Sequence, residues 1–163
     1  VNIVLEGPDG SGKSTLAQYI GQSLGWSIVQ SEGPERYPGE INERISRYLV
    51  MDGVIFDRHP CISQSIYSAF NGTTVPDASL MYRFFQSRPL MIWCAAQDLS
   101  NHKPREEVDS PDHLRMLENF SAAIIHAYEQ WALSMANIHY RIGDDCREIV
   151  AMIKGVVDVR SAR

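Results

Sequence analysis

The sequence predicts an α/β fold: a three-layer α/β/α sandwich built on a five-stranded parallel sheet. Two observations carry that expectation. Apolar, strand-like runs alternate with stretches of helical periodicity along the whole chain, a pattern that gives parallel strands joined by crossover helices. A glycine-rich stretch, "GPDGSGK" (7–13), stands between the first strand-like run and the first helical one. In open parallel sheets ligands bind beyond the carboxyl ends of the strands, where such a loop falls.

Each element has its own reason. "VNIVLE" (1–6) is an apolar run that stops at a glycine, the first strand. Residues 13–24 place Leu16, Ile20 and Leu24 four apart, one face of a helix. "WSIVQ" (26–30) is the second strand, and "SEGPERYPG" (31–39) is a loop by its prolines and glycines. Ile41, Ile45 and Leu49 mark a helix over 40–51, and "GVIFD" (53–57) reads as a buried third strand. A helix over 61–70 breaks at "NGTTVP"; another spans about 77–87. Pro89 introduces the fourth strand, "LMIWCAA" (90–96). After the long polar stretch 97–112, a helix over about 112–134 carries Leu117, Ile124, Tyr128 and Trp131 at helical spacing. "NIHYRI" (137–142) is the fifth strand and 145–158 the last helix. No repeat or linker interrupts the series, so residues 1–163 are expected to form one domain.

Composition excludes some classes. The chain has 163 residues, 44% hydrophobic and 21% charged, enough for a sizeable core. The net charge of −5 argues against a protein that coats nucleic acid non-specifically. No apolar run reaches the length of a membrane span. The start reads as a strand and not as a signal peptide, and the missing initiator Met suggests a trimmed start. Cys61, Cys94 and Cys146 are an odd, widely spaced set, which suggests free thiols in the cytoplasm. Only Lys13, Lys103 and Lys154 supply lysine, against 12 arginines, and one of those three stands in the glycine-rich loop.

Gly7-x-x-x-x-Gly12-Lys13-Ser14 is the P-loop pattern, in the strand–loop–helix setting its mechanism requires. Glycines let the backbone amides turn toward phosphate oxygens, and the following helix adds its positive dipole end. The nucleotide-binding set is Gly7, Asp9, Gly10, Ser11, Gly12, Lys13, Ser14 and Thr15, with ATP as the cofactor. Lys13 is placed to reach the outer phosphates and the Ser14 hydroxyl to hold Mg²⁺. "VIFDRHP" ends a strand in Asp57, the second candidate ligand of Mg²⁺. Arg58 follows as a candidate to grip an acceptor phosphate, and His59 as a residue that packs or caps. A guanine-reading Asn-Lys-x-Asp segment is missing; "NHKP" (101–104) is the nearest run, which argues against a regulatory GTPase.

"LEGPDGSGKST" followed by "FDRHPCISQSIYS" resembles the thymidylate kinase-like branch of the P-loop nucleoside and nucleotide kinases. The positions that carry the resemblance are Glu6 to Thr15, Asp57, Arg58, Ser63 and Tyr67. It implies an ATP- and Mg²⁺-dependent phosphotransferase, a Glu32-bearing acceptor loop, a lid over about 98–110 and a homodimer. In that lid Lys103 and Arg105 are the cations, with Arg105 as a catalytic candidate worth roughly a thousandfold in rate. Adenine is expected near Arg141 and Gly143. The chain departs from thymidylate kinases in having one helix, not two, between the second strand and Asp57. Its short plan is also similar to phage-type deoxynucleotide kinases and to phage kinases of 5-hydroxymethyluracil in DNA.

Two acceptors stay open on this reading. A pyrimidine deoxynucleoside monophosphate is already ionised and needs cations around it. A hydroxyl, as on the modified base in DNA, needs a carboxylate to take its proton, and Glu32 or Asp57 is the candidate. Glu32, Arg36, Tyr37, Arg58, Tyr67 and Arg83 are the candidate acceptor contacts, with Tyr82 and Phe85 on the same border. A non-catalytic ATP-binding module is the remaining alternative.

Overall fold

The computed structural model describes residues 1–96 and 111–161. Every expected strand and helix is present. In chain order they are β1 (Ile3–Glu6), α1 (Lys13–Leu24), β2 (Ser27–Gln30), α2 (Glu40–Tyr48), β3 (Val54–Asp57), α3 (Pro60–Asn71), α4 (Ala78–Gln86), β4 (Leu90–Ala95), α5 (Pro111–Met135), β5 (Ile138–Arg141) and α6 (Cys146–Ser161). The strands form one parallel sheet in the order β2-β3-β1-β4-β5. Within it Leu5 pairs with Asp57 and Glu6 with Trp93, so the ends of β1, β3 and β4 meet around the glycine-rich loop.

Strand side chains alternate between two cores. Ile3, Leu5, Ile55, Leu90, Ile92 and Cys94 pack on one face with Leu16, Ile20, Ile149 and Ile153, under α1 and α6. Val4, Phe56 and Met91 face the other way and pack with Ile41, Ile45, Ile62 and Phe84 from α2, α3 and α4. Tyr67 and Tyr128 join α3 to α5 in a third cluster with Met116, Leu117 and Ile124. Both faces are thus covered, as parallel strands require.

Element ends are set by local chemistry. Gly12 (φ 81) and Gly25 (φ 70) hold left-handed conformations at the two ends of α1. His59 caps α3 by accepting the Cys61 N–H, with Pro60 in the first turn. Asp77 caps α4 by accepting from the Ser79 and Leu80 amides. Helix α2 stops at Tyr48, three residues before the expected end at 51. Beyond it the apolar stripe runs out, Val50 is 82% exposed, and the Asn2 amide draws the Met51 carbonyl toward the sheet.

Candidate active site

The loop between β1 and α1 is set against the end of β4. Gly7 has φ 154, and a Cβ there would lie 2.1 Å from the Cys94 carbonyl oxygen, so no other residue fits. Lys13 curls into its own loop, donating to the Pro8 carbonyl (2.6 Å) and Ser11 Oγ (3.1 Å). Burial, with repulsion from Arg58, lowers its pKa to about 8.

Ser14 Oγ donates to Asp57 Oδ2 at 2.5 Å. Among the described residues no group of three or more His, Cys, Asp or Glu forms a metal site. Mg²⁺ does not need one. It favours hard oxygens and is held by one or two protein ligands, water and nucleotide phosphates. The adjacent hydroxyl and carboxylate, next to a loop built for phosphate, fit that mode.

Arg58 follows Asp57 in a left-handed conformation (φ 72), unusual for a residue with a side chain. Two bonds hold the turn. The Arg58 N–H donates to the Leu5 carbonyl (3.0 Å), and the His59 N–H donates to Glu6 Oε1 (2.6 Å). The turn swings the guanidinium across the loop onto Asp9 Oδ1 (2.6 Å), over the Tyr67 ring. Glu6 itself is fully buried and takes a second bond from Tyr128 Oη (3.3 Å). Burial pushes its pKa up to about 7, against the pull of the His59 amide and of Arg58 and Lys13. His59 is a packing residue: its ring stacks on Phe84 at 4.1 Å, and burial lowers its pKa to about 3, so it stays neutral.

A recess lies beside the loop. Its walls include Ser31, Glu32 and Gly33 after β2, Ile41, Arg44 and Tyr48 on α2, and Arg58, Ser63 and Gln64 around the start of α3. Glu32 accepts from Tyr48 Oη (2.7 Å) and Arg47 Nη2 (2.8 Å). Partial burial works to raise its pKa, but those bonds and the charges of Arg47 and Arg44 outweigh it and hold the carboxyl below its ordinary value.

The structure brings Glu32, Arg58 and the loop residues together, with Tyr67 against Arg58 and Asp9, and Arg36 against Glu32, and places Tyr37, Arg83 and Arg141 elsewhere. Arg36 is not a wall of the recess, but its guanidinium, paired with Glu40, lies 3.9 Å from Oε2 of Glu32, which is one. Tyr37 is 48% exposed and donates to Glu43. Tyr67 lies behind Arg58 in the third core cluster, where it positions that side chain instead of lining the recess. Arg83 is exposed on α4, because the helix turns Phe84 inward. Tyr82 and Phe85 border a separate surface hollow with Arg88. Arg141 is exposed at the end of β5, and Ile142, not Arg141, packs over Gly12. Asp9 spends a carboxylate oxygen on Arg58. The expected lid at 98–110, with Lys103 and Arg105, lies outside the described residues.

Arg44 and Gln64 are recess residues that sequence reasoning missed. A signal was present. Ile41, Arg44, Ile45 and Tyr48 follow the i, i+3, i+4, i+7 pattern, so an arginine interrupts the buried stripe of α2. It is buried at 2% exposure and bonds the Gly33 (2.6 Å) and Pro34 (3.0 Å) carbonyls.

A parallel sheet in this strand order, with a glycine-rich loop leading into α1 and a hydroxyl–carboxylate pair at its mouth, defines the P-loop fold. No family model and no curated protein sequence matches the chain. Solved structures share its fold. The YorR protein of Bacillus subtilis, solved in complex with phosphorylated GDP, matches with a TM-score of 0.67 at 20% identity, over 100% of this chain and 99% of that one. Deoxyadenosine kinase from M. mycoides, with products dCMP and a flexible dCDP bound, matches with a TM-score of 0.58 at 16% identity, over 98% of this chain and 99% of that one. The same enzyme with bound dATP gives 0.54 at 15% identity, over 97% and 100%. At these identities the likeness is one of fold.

Proposed function

We propose that this protein is a phosphotransferase that moves the γ-phosphoryl group of Mg·ATP to a pyrimidine deoxynucleotide-type acceptor. The observation that carries this reading is the Ser14–Asp57 pair at 2.5 Å beside Lys13, with Arg58 reaching from the loop at Asp9 to the recess that Glu32 lines. One site suits a triphosphate and its metal; the other suits an acceptor. The solved neighbours that hold nucleotides add support. Lys13 and the loop amides would neutralise charge on the transferring group, Ser14 and Asp57 would hold a Mg²⁺ ion that adds positive charge there, and Arg58 connects the loop to the recess.

A specific observation favours a second reading, a hydroxyl acceptor such as the hydroxymethyl group of 5-hydroxymethyluracil in DNA. Glu32 lines the recess as a carboxylate held in its ionised form. The other arginine of the recess, Arg44, is already engaged by Glu40 and two carbonyls. In that case the hydroxyl oxygen bonds to the γ-phosphorus, its proton passes to Glu32, and ADP leaves. A weak base suffices, because the loose transition state of phosphoryl transfer asks little of it.

The deciding experiment is transfer from γ-labelled ATP to a panel. It holds deoxynucleoside monophosphates, free nucleosides, and DNA with and without 5-hydroxymethyluracil. Label on a monophosphate supports the first acceptor; label only on nucleosides or modified DNA supports the second. ATP binding without label on any of them sinks both.

A further inference from the structure

The acceptor recess carries one polar group whose direction is fixed by its neighbours. Gln64 lies on α3, is buried at 9% exposure, and lines the recess with Glu32 and Arg58. Its Nε2 donates to Thr73 Oγ1 (2.5 Å) and to the Thr74 carbonyl (3.0 Å).

A side-chain amide can usually present either end to a ligand. Here it cannot. A backbone carbonyl only accepts, so the Gln64 nitrogen must face Thr74. The Thr73 bond has a fixed sense as well. The Thr73 N–H only donates, and it goes to Asn71 Oδ1 (3.1 Å), which identifies that atom as an oxygen. The Thr73 hydroxyl also contacts Asn71 Oδ1 (2.7 Å) and must donate to it. Thr73 Oγ1 is therefore left to accept from Gln64. Residues 73–74, in the loop after α3, are anchored in turn where the Thr74 N–H donates to Glu35 Oε1 (2.9 Å). Both N–H groups of Gln64 are spent. Among the described residues its Oε1 takes no hydrogen bond, and it is the polar atom left for the recess.

We propose that Gln64 is a specificity-determining residue of the acceptor site, presenting a fixed hydrogen-bond acceptor that selects a ligand through a nucleobase N–H or amino donor. The inference rests on the recess being the acceptor site. It differs from the two-pronged pairing of a free glutamine, which offers donor and acceptor together and takes an adenine edge. A one-pronged acceptor reads one donor. A ligand that lacks the donor covers Oε1 and leaves it unpaired, which costs about tenfold in affinity or more.

The test measures binding, separately from transfer. Calorimetry would compare thymidine, deoxycytidine and deoxyadenosine monophosphates with analogues methylated on ring N3, or dimethylated on the exocyclic amino group. Wild type should lose roughly tenfold or more on methylation of the nucleotide it binds. In Gln64→Met, which fills similar space without polarity, the parent nucleotide should weaken and the methylation penalty should shrink to about nothing. Unchanged Mg·ATP affinity in the variant reports an intact fold. A steric clash alone would leave the penalty equal in both proteins, and that result overturns the inference. So does wild type binding parent and methylated forms equally while still transferring phosphate. Wild type that binds none of the three, yet phosphorylates a non-nucleotide, overturns the nucleotide reading and this inference together.

Discussion

At the scale of single residues, charge in a dry setting governs the site. Lys13 is buried among carbonyl and hydroxyl oxygens of its own loop. Lys13→Ala removes the cation that offsets charge on the transferring group, so transfer should fall by at least about a hundredfold. The fold should survive, which far-ultraviolet circular dichroism checks. Glu6 offers a test by pH. Its pKa is 4.5 in an open chain and about 7 in the fold, because burial disfavours the charged form. The folded state therefore binds more protons between those values. This group's contribution to stability falls as pH rises from about 4.5 to about 7, and is level above that. The groups facing it are Arg58, Lys13, the His59 amide and Tyr128. Glu6→Gln keeps an oxygen for the His59 N–H and cannot ionise. Urea unfolding across that range should show the variant gaining on wild type as pH rises; parallel curves would refute the assignment.

At the scale of elements, α2 matters most because it closes the recess. Arg44 is surrounded by Glu40 and the carbonyls of Gly33 and Pro34, so it ties the loop after β2 to the helix. Arg44→Ala leaves those carbonyls unpaired and frees the loop that carries Glu32. We expect a lower Tm and an acceptor KM raised about tenfold, with the affinity for Mg·ATP nearly unchanged. Equal losses at both sites would mean that the loop is not specific to the acceptor. The turn at Arg58 belongs to the same scale. Its left-handed backbone is held by bonds to Leu5 and Glu6 of β1, which makes strand pairing part of the aim of the guanidinium.

At the scale of the whole molecule, nucleotide binding should appear as stability. A ligand that binds only the folded state, at a hundred times its Kd, adds about 2.7 kcal/mol. For a chain of this length that is roughly 5–10 °C in Tm. Thermal unfolding with Mg·ATP should show the shift, and Lys13→Ala should lose most of it. No helix among the described residues is long and apolar enough to cross a membrane. The fold class was legible because each cue was local: four-residue spacing in α1, apolar runs ending in glycine or proline, and "GPDGSGK" at the one place a phosphate loop works. The pairing of Asp57 with Ser14 was legible too, since each closes a motif of its own. The acceptor side was not. Tyr37 and Arg83 have suitable chemistry, yet a bond to Glu43 holds the first and helix phase turns the second outward, Arg36 is shared between Glu40 and Glu32, and Arg44 and Gln64 lie on buried faces that usually hold apolar residues. The sequence by itself determined the strands, the helices and the phosphate loop, because backbone preference and spacing act over a few residues. Only the tertiary structure decided which polar groups share a recess and which way Gln64 faces, because those depend on partners brought together across the chain.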